Sequence, residues 1–561
     1  MSNPVGEFLD RELARGADSV RQGWHTLRVR GPGKVQFWII ALLIGIAAGF
    51  AALGFRKGIA GLQTLIYGTD DVMLASHLDT LPWYVVLAVP VAGGLAVGII
   101  LHVFTANRTA RGVADVIDGA AMREGRVEVK EGLASALASL VTLSTGGSTG
   151  REGPVVHLAG VISTWVSDRI HADAINGRDL LGCAVAAAVS ASFNAPIAGA
   201  LFALEVVLRH FAVHAFAPIV IASVAGTVVS RLEFGNVTEF RLPDESVLGF
   251  YVELPAFLLL GLVCGLVAVV LMRGVFWAED IGNEFQRATG MPAWLRPALA
   301  GLILGGVAIW FPHIIGVGYE TTSHALTGEL LLWNAVVFAA VKVFAVAVTM
   351  AGRMGGGMFS PSLMVGALTG LAFGLVATAV FPTVSGSQTL YALAGMGAVA
   401  AAVLGAPIST TLIVFELTGD WQTGLAVMVS VSLSTALASR MVDRSFFLTQ
   451  LERRNRHLAA GPQAYLLATV PVSLVMRPRD SQRAADEARC WEMVEEGLFI
   501  DRGATLESAM PVFDEKNPDF LPVVSRAYED APTVLWGAVF QVDALKALNR
   551  ALAATAEEEH S

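Results

Sequence analysis

Gly150-Arg151-Glu152-Gly153-Pro154 joins an acid to residues that expose backbone. Glycine lets main-chain N–H groups turn toward a ligand. Proline suits a first helical turn, where its missing N–H is not needed. The run therefore reads as a helix N-terminus, and such termini attract anions. It lies within Ser144–Gly160, flanked by the apolar runs Leu133–Leu143 and Val155–Val166. That places it at membrane depth, where irregular polar backbone is tolerated only if protein buries it or a watery cavity meets it. An ionisable residue there is functional by default. The carboxylate of Glu152 can take the seat of an anion, and protonation would release it. The plainer reading is a first-turn glutamate that complements the helix dipole.

The motif has a counterpart. Thr142 and Gly150 through Pro154 parallel Thr349 and Gly357 through Pro361 at a constant offset of 207. Ala195-Pro196-Ile197, followed by Glu205, parallels Ala406-Pro407-Ile408, followed by Glu416, at an offset of 211. Two halves with matching interrupted helices predict a site at their interface. Facing N-termini favour an inverted repeat, each half crossing an odd number of times.

The elements that must carry these motifs are membrane helices. Of 561 residues 54% are hydrophobic and 15% charged. Apolar spans fall near 35–55, 83–104, 131–144, 154–168, 179–192, 196–211, 215–232, 250–277, 295–310, 332–350, 360–380, 389–403, 407–419 and 422–440. Several are too short for a hydrocarbon core of ~30 Å, the sign of broken or re-entrant helices. Residues 1–34 are polar and basic and show no signal peptide. Arg440, Arg444, Arg453, Arg454 and Arg456 follow the last span. Both flanks read as cytoplasmic, so the crossings are even in number. Lys342, inside an apolar span, is expected near the interface with its ammonium snorkelling to water.

The formal charge of −10 resides largely in the C-terminal part and reads as solvation. Cys183, Cys264 and Cys490 fit no metal or disulfide spacing. No nucleophile–base pair, metal cluster or phosphate loop supports an enzyme. Four segments result: a basic stretch 1–34, a membrane domain 35–448, a linker 449–470 and a small α/β domain 471–561. In the last, Val472–Met476 opens the domain. Ala504–Met510 reads as a helix, Phe520–Val524 and Leu535–Phe540 as strands, and Val542–Leu552 as a closing helix.

Gly150-Arg-Glu-Gly-Pro154, Gly356-Gly-Met-Phe-Ser-Pro361 and Ala406-Pro407 through Glu416 together resemble the CLC family of chloride channels and chloride/proton exchangers. The resemblance covers about residues 35–448. It implies an all-α polytopic membrane fold of about eighteen helices, an inverted repeat with broken and re-entrant helices, and homodimers with one anion path per subunit. The C-terminal part resembles a CBS domain (cystathionine-β-synthase type), with an atypical insert between Met476 and Gly503. An unrelated α/β tail is the alternative. The CBS-like reading implies adenine nucleotide as a possible ligand.

By this resemblance Glu152 is the gate. Gly150, Arg151, Gly153, Met358 and Phe359 frame the anion, the last two through backbone N–H groups. Arg111, in Arg111-Gly-Val-Ala-Asp115, falls where the family has Ser or His, and supplies charge to the pore or is displaced. Phe447 takes the place of a tyrosine and has no hydroxyl to donate. Val206 occupies the position of a proton-passing glutamate, which leaves Glu205 as a possible proton route or a packing residue. The expected function is channel-like chloride transport. Chloride/proton antiport is the alternative, and a membrane sensor working through its tail is a reading from another class. The implied partners are a small anion, protons, a lipid bilayer and a second copy of the chain, with no nucleic acid. The implied location is a bacterial-type inner membrane, multi-pass, with both termini cytoplasmic.

Overall fold

The structure, a computed structural model, describes residues 33–70, 73–211, 213–235, 240, 252–382, 385, 387–454, 456, 467, 470–502, 504–525 and 533–560. Eighteen α-helices come first among them. They are α1 (Lys34–Tyr67), α2 (Leu74–Leu78), α3 (Trp83–Phe104), α4 (Val113–Met122), α5 (Val129–Thr145), α6 (Glu152–Ile170), α7 (Ala174–Phe193), α8 (Pro196–Phe202) and α9 (Val213–Phe234). The second half holds α10 (Leu254–Thr289), α11 (Arg296–Ala308), α12 (Tyr319–Leu326), α13 (Leu332–Ala351), α14 (Phe359–Val380), α15 (Gln388–Leu404), α16 (Pro407–Thr418), α17 (Trp421–Met441) and α18 (Phe446–Glu452). A π-helical turn, Ala203–Leu208, continues α8.

Among the described residues, seven stretches are long and apolar enough to cross a membrane: α1, α3, most of α9, α10, α13, α14 and Trp421–Glu452. Others, including α15 and α16, are apolar but shorter. Polarity is reversed relative to a water-soluble domain. Leu43, Phe50 and Val270 point outward, while Ser139, Thr149 and Ser362 are fully buried. Lipid removes any hydrophobic drive between helices, so close packing by small residues takes over. α14 and α15 show this. A Cβ on Gly366 would lie 2.4 Å from the Gly395 carbonyl oxygen, and one on Gly395 would lie 2.5 Å from that of Gly366.

Helix starts follow the prolines. Pro196 and Pro407 are the first residues of α8 and α16, while Pro154 and Pro361 are the third residues of α6 and α14. Before α6, Gly146 closes α5 in the left-handed region at φ 116°.

The chain divides into a helical unit, which ends at Gln450, and a second unit that takes in Arg209–His214 and the tail from Leu451. The tail holds α19 (Val472–Val475), β1 (Arg477–Pro478), α20 (Glu487–Glu495), β2 (Ile500–Asp501), α21 (Leu506–Lys516), β3 (Phe520–Ser525), β4 (Val534–Phe540) and α22 (Gln541–His560). The sheet order is β1-β4-β3-β2, antiparallel except for the β2–β3 pair. The two longer strands and the closing helix match the sequence expectation. The helix expected at 504–510 instead starts at Leu506 and continues to Lys516. The insert after Met476 contributes α20 and two strands to the same small domain. The basic segment 1–34 lies outside the described residues except for Gly33 and Lys34, as does most of the 449–470 linker beyond Arg456.

Candidate functional site

α6 and α14 begin beside each other. Gly150 N–H donates to the Gly357 oxygen and Gly357 N–H to the Gly150 oxygen, each at 2.7 Å, as an isolated antiparallel bridge. These two glycines are equivalent under the 207-residue offset. A reciprocal antiparallel pair of equivalent residues is what a local two-fold axis produces, and the chain directions across it are opposed, as an inverted repeat requires. Thr149 Oγ1 adds a bond to the Gly357 oxygen at 3.0 Å, and Ser148 N–H donates to Thr349 Oγ1 at 3.1 Å. Gly356 has φ 149°, and a Cβ there would come within 2.1 Å of Thr149 Oγ1. Only glycine fits that crossing.

Glu152 opens α6 at 2% exposure. Its side chain turns back over the bridge: a Cβ on Gly150 would lie 2.7 Å from Oε2. Ser360 Oγ, from the first turn of α14, donates to Oε1 at 2.5 Å, while Oε2 has no hydrogen-bond partner among the described residues. So the acid of one half is held at the helix start of the other. The offset places Phe359 at the position equivalent to Glu152, leaving a single acid at the pseudo-symmetric centre. Ser360, the partner of Glu152, escaped the sequence reading because it stands one residue beyond that equivalence.

The other expected site residues divide. Met358 and Phe359 are buried at the start of α14. Phe359 packs against Phe193 and Phe202, with ring centroids 4.7 and 5.7 Å away. The first backbone N–H groups of a helix have no acceptor within it, which leaves Gly153, Phe359 and Ser360 as donors around the bridge. Gly150 is a correction, because its N–H is spent on Gly357. Arg151, 5% exposed, donates to the Ser192 carbonyl at 3.3 Å and lies over the Tyr319 ring.

Arg111 stands among carboxylates. Its guanidinium bonds Asp115 at 2.8 Å and Glu131 at 2.7 Å, with Glu128 at 3.7 Å. Its backbone N–H goes to Ser135 Oγ, and that of Gly112 to Asp115. Surrounding carboxylates neutralise the charge and repel an anion, and the N–H groups of Arg111 and Gly112 are taken. Phe447 is buried against Phe446, which stacks on Phe276, so it sits as a packing aromatic.

Glu205 caps a helix. Its carboxylate accepts from Ile408 N–H at 2.9 Å, Ser409 N–H at 2.8 Å and Ser409 Oγ at 2.6 Å, at the start of α16. Glu416 does the same for α8, accepting from Ile197 and Ala198 N–H at 3.0 and 2.8 Å. Every partner obeys the 211-residue offset. Lys342 corrects another expectation. Far from snorkelling, it is fully buried, with Nζ donating to the Ile314 and Gly316 carbonyls at 3.2 Å each. Gly316 in turn bridges Ser148, directly upstream of the Glu152 segment.

A helical membrane unit with an inverted repeat and one acid at facing helix starts defines an integral membrane transport protein. The family model described as Voltage gated chloride channel matches residues 93–439. A "Putative chloride channel protein ClcB-like" of Ralstonia nicotianae is 33% identical over 396 residues, covering 70% of this chain and 91% of that protein. The chain belongs to the voltage-gated chloride channel, or CLC, family. Among solved structures, that of a slow cyanobacterial Cl−/H+ antiporter aligns with a TM-score of 0.66 at 20% identity, over 75% of this chain and 98% of that one. A eukaryotic CLC transporter aligns with a TM-score of 0.65 at 18% identity, over 90% of this chain and 97% of that one. At these identities the two structures bear on the fold alone.

Proposed function

We propose that the chain carries chloride-like anions along a path closed by the Glu152 carboxylate, and that conduction is channel-like and not coupled to protons. One observation carries the gate: a buried acid folded over the meeting point of two helix starts, with one oxygen held by Ser360 and the other without a partner. An anion arriving there meets the first-turn N–H groups of Gly153, Phe359 and Ser360, with Arg151 next to Glu152 in sequence. Lower pH neutralises the acid and frees the seat. Against stoichiometric exchange stand the Glu205 carboxylate, engaged as a cap, and the apolar side chain of Val206; protons that reach Glu152 by another way set how often the path opens. Two subunits, each with its own path, an inner-membrane location with both termini cytoplasmic, and adenine nucleotide at the tail belong to the same reading and rest on resemblance.

The experiment is a chloride gradient across liposomes holding the purified chain, with chloride efflux and external pH recorded together. Wild-type chain should release chloride without uphill proton uptake. Glu152→Gln should raise flux and flatten its pH dependence. Proton influx opposing chloride efflux, abolished by Glu152→Ala, would establish the exchanger instead. Unchanged flux and pH profile in Glu152→Gln would remove the gate.

A further inference from the structure

Five residues along α6 from Glu152, or about 7.5 Å of helix rise, His157 is 2% exposed. Its Nδ1 has no hydrogen-bond partner among the described residues. The imidazole packs on the first turn of α5, where a Cβ on Gly132 would come within 2.7 Å of Cε1. It lines a small polar cavity together with Arg111, Asp115, Asp118, Arg123 and Glu128. The cavity offers about 10 Å³ to a water centre, roughly the least that one water needs. Asp118 contributes a second buried oxygen without a partner, Oδ1. At the mouth, the Arg123 and Glu128 side chains are 38% and 45% exposed. The chamber thus runs from solvent to a fully buried titratable ring on the gate helix itself.

The charges that act on that ring are Asp115, Arg111, Glu128 and Glu131, with Asp118 and Arg123 in the chamber wall. Of the other helices packed on α6, α1 carries Lys34, Arg56 and Lys57, α7 carries Arg178 and the buried Asp179, and α14 carries no charged residue. Four carboxylates against two guanidinium groups favour a cation in the chamber, not an anion. Toward the bridge, α5 keeps a polar face. Ser135 Oγ donates to the Glu131 carbonyl. One turn on, the fully buried Ser139 Oγ has no partner and abuts Gly355.

We propose that this chamber is a proton-loading site for the gate, and that His157 relays protons from the α4–α5 side of the protein to Glu152. The inference rests on the gate reading. The steps balance without electron transfer. Nδ1 takes a proton from hydronium at the chamber, leaving water, and becomes imidazolium. Passage of that proton along the α5–α6 seam to the unpartnered Oε2 of Glu152 restores neutral imidazole and leaves a carboxylic acid, which vacates the anion seat. With the basic flanks cytoplasmic, the mouth opens to the cytoplasm.

The test uses the full chain in planar bilayers, with pH changed on one face at a time. Wild type should conduct more at low pH from either face. His157→Gln should lose the response on the chamber face at least tenfold and keep the other. Asp118→Asn should act in the same direction, and carries the prediction if His157→Gln fails to assemble. The Glu152→Gln/His157→Gln double variant should conduct like Glu152→Gln alone, showing an intact path. Wild-type titration of His157→Gln and Asp118→Asn from both faces, or a wild type unresponsive on the chamber face, overturns the proposal. Failure of the gate reading appears separately, as pH dependence surviving in Glu152→Gln alone.

Discussion

Glu152 and Ser360 meet across the pseudo-symmetric centre, and their bond is what holds the acid in place. A hydrogen bond to an ionised group is worth about 1.5–3 kcal/mol, and ~1.4 kcal/mol is a factor of ten in an equilibrium. Ser360→Ala should therefore open the path about tenfold at fixed pH, measured as chloride efflux, while keeping a pH dependence that Glu152→Gln lacks. An unaltered efflux would mean that the serine is a bystander. Arg111 argues in the opposite direction. Its type suggested a pore charge, yet three carboxylates hold it, and residue type does not reveal such neighbours.

Among the elements, the short helices α8 and α16 matter most, because each begins with a proline and each is capped by a glutamate from the opposite half. Losing such a cap costs about 0.5–2 kcal/mol. Glu205→Gln and Glu416→Gln should each lower the thermal transition of the purified protein, by similar amounts because the two caps are equivalent. Neither should alter the ratio of proton to chloride movement. A Glu205→Gln chain of unchanged thermal stability but altered proton movement would favour a proton route through Glu205 over the packing role. The sequence showed both glutamates at matching distances from their prolines. It did not show that each serves the other's helix, since spacing within one half is silent about the other.

Across the whole molecule, the two units have hydrophobic clusters of their own. The tail core of Val472, Leu506, Phe513, Leu521 and Val539 draws on tail residues alone. A chain ending near residue 460 should therefore still fold and carry anions, with altered modulation. A truncated protein that elutes as a stable species but carries no anion flux would assign the tail a part in the path.

The sequence by itself determined whatever depends on short-range physics. Hydropathy marked the helices, prolines marked four helix starts, and the 207- and 211-residue offsets disclosed two halves. Glu152 stood out because an acid at membrane depth is costly unless it is used. The tertiary structure decided which groups meet. The Gly150–Gly357 bridge, the exchange of glutamate caps, the burial of Lys342 on two carbonyls and the chamber around His157 all join segments distant in the chain. Periodicity reports which face of a helix is apolar. The polar partner that a buried group finds depends on how the helices pack, and where lipid removes the hydrophobic drive between them, packing is settled by the shapes of small residues.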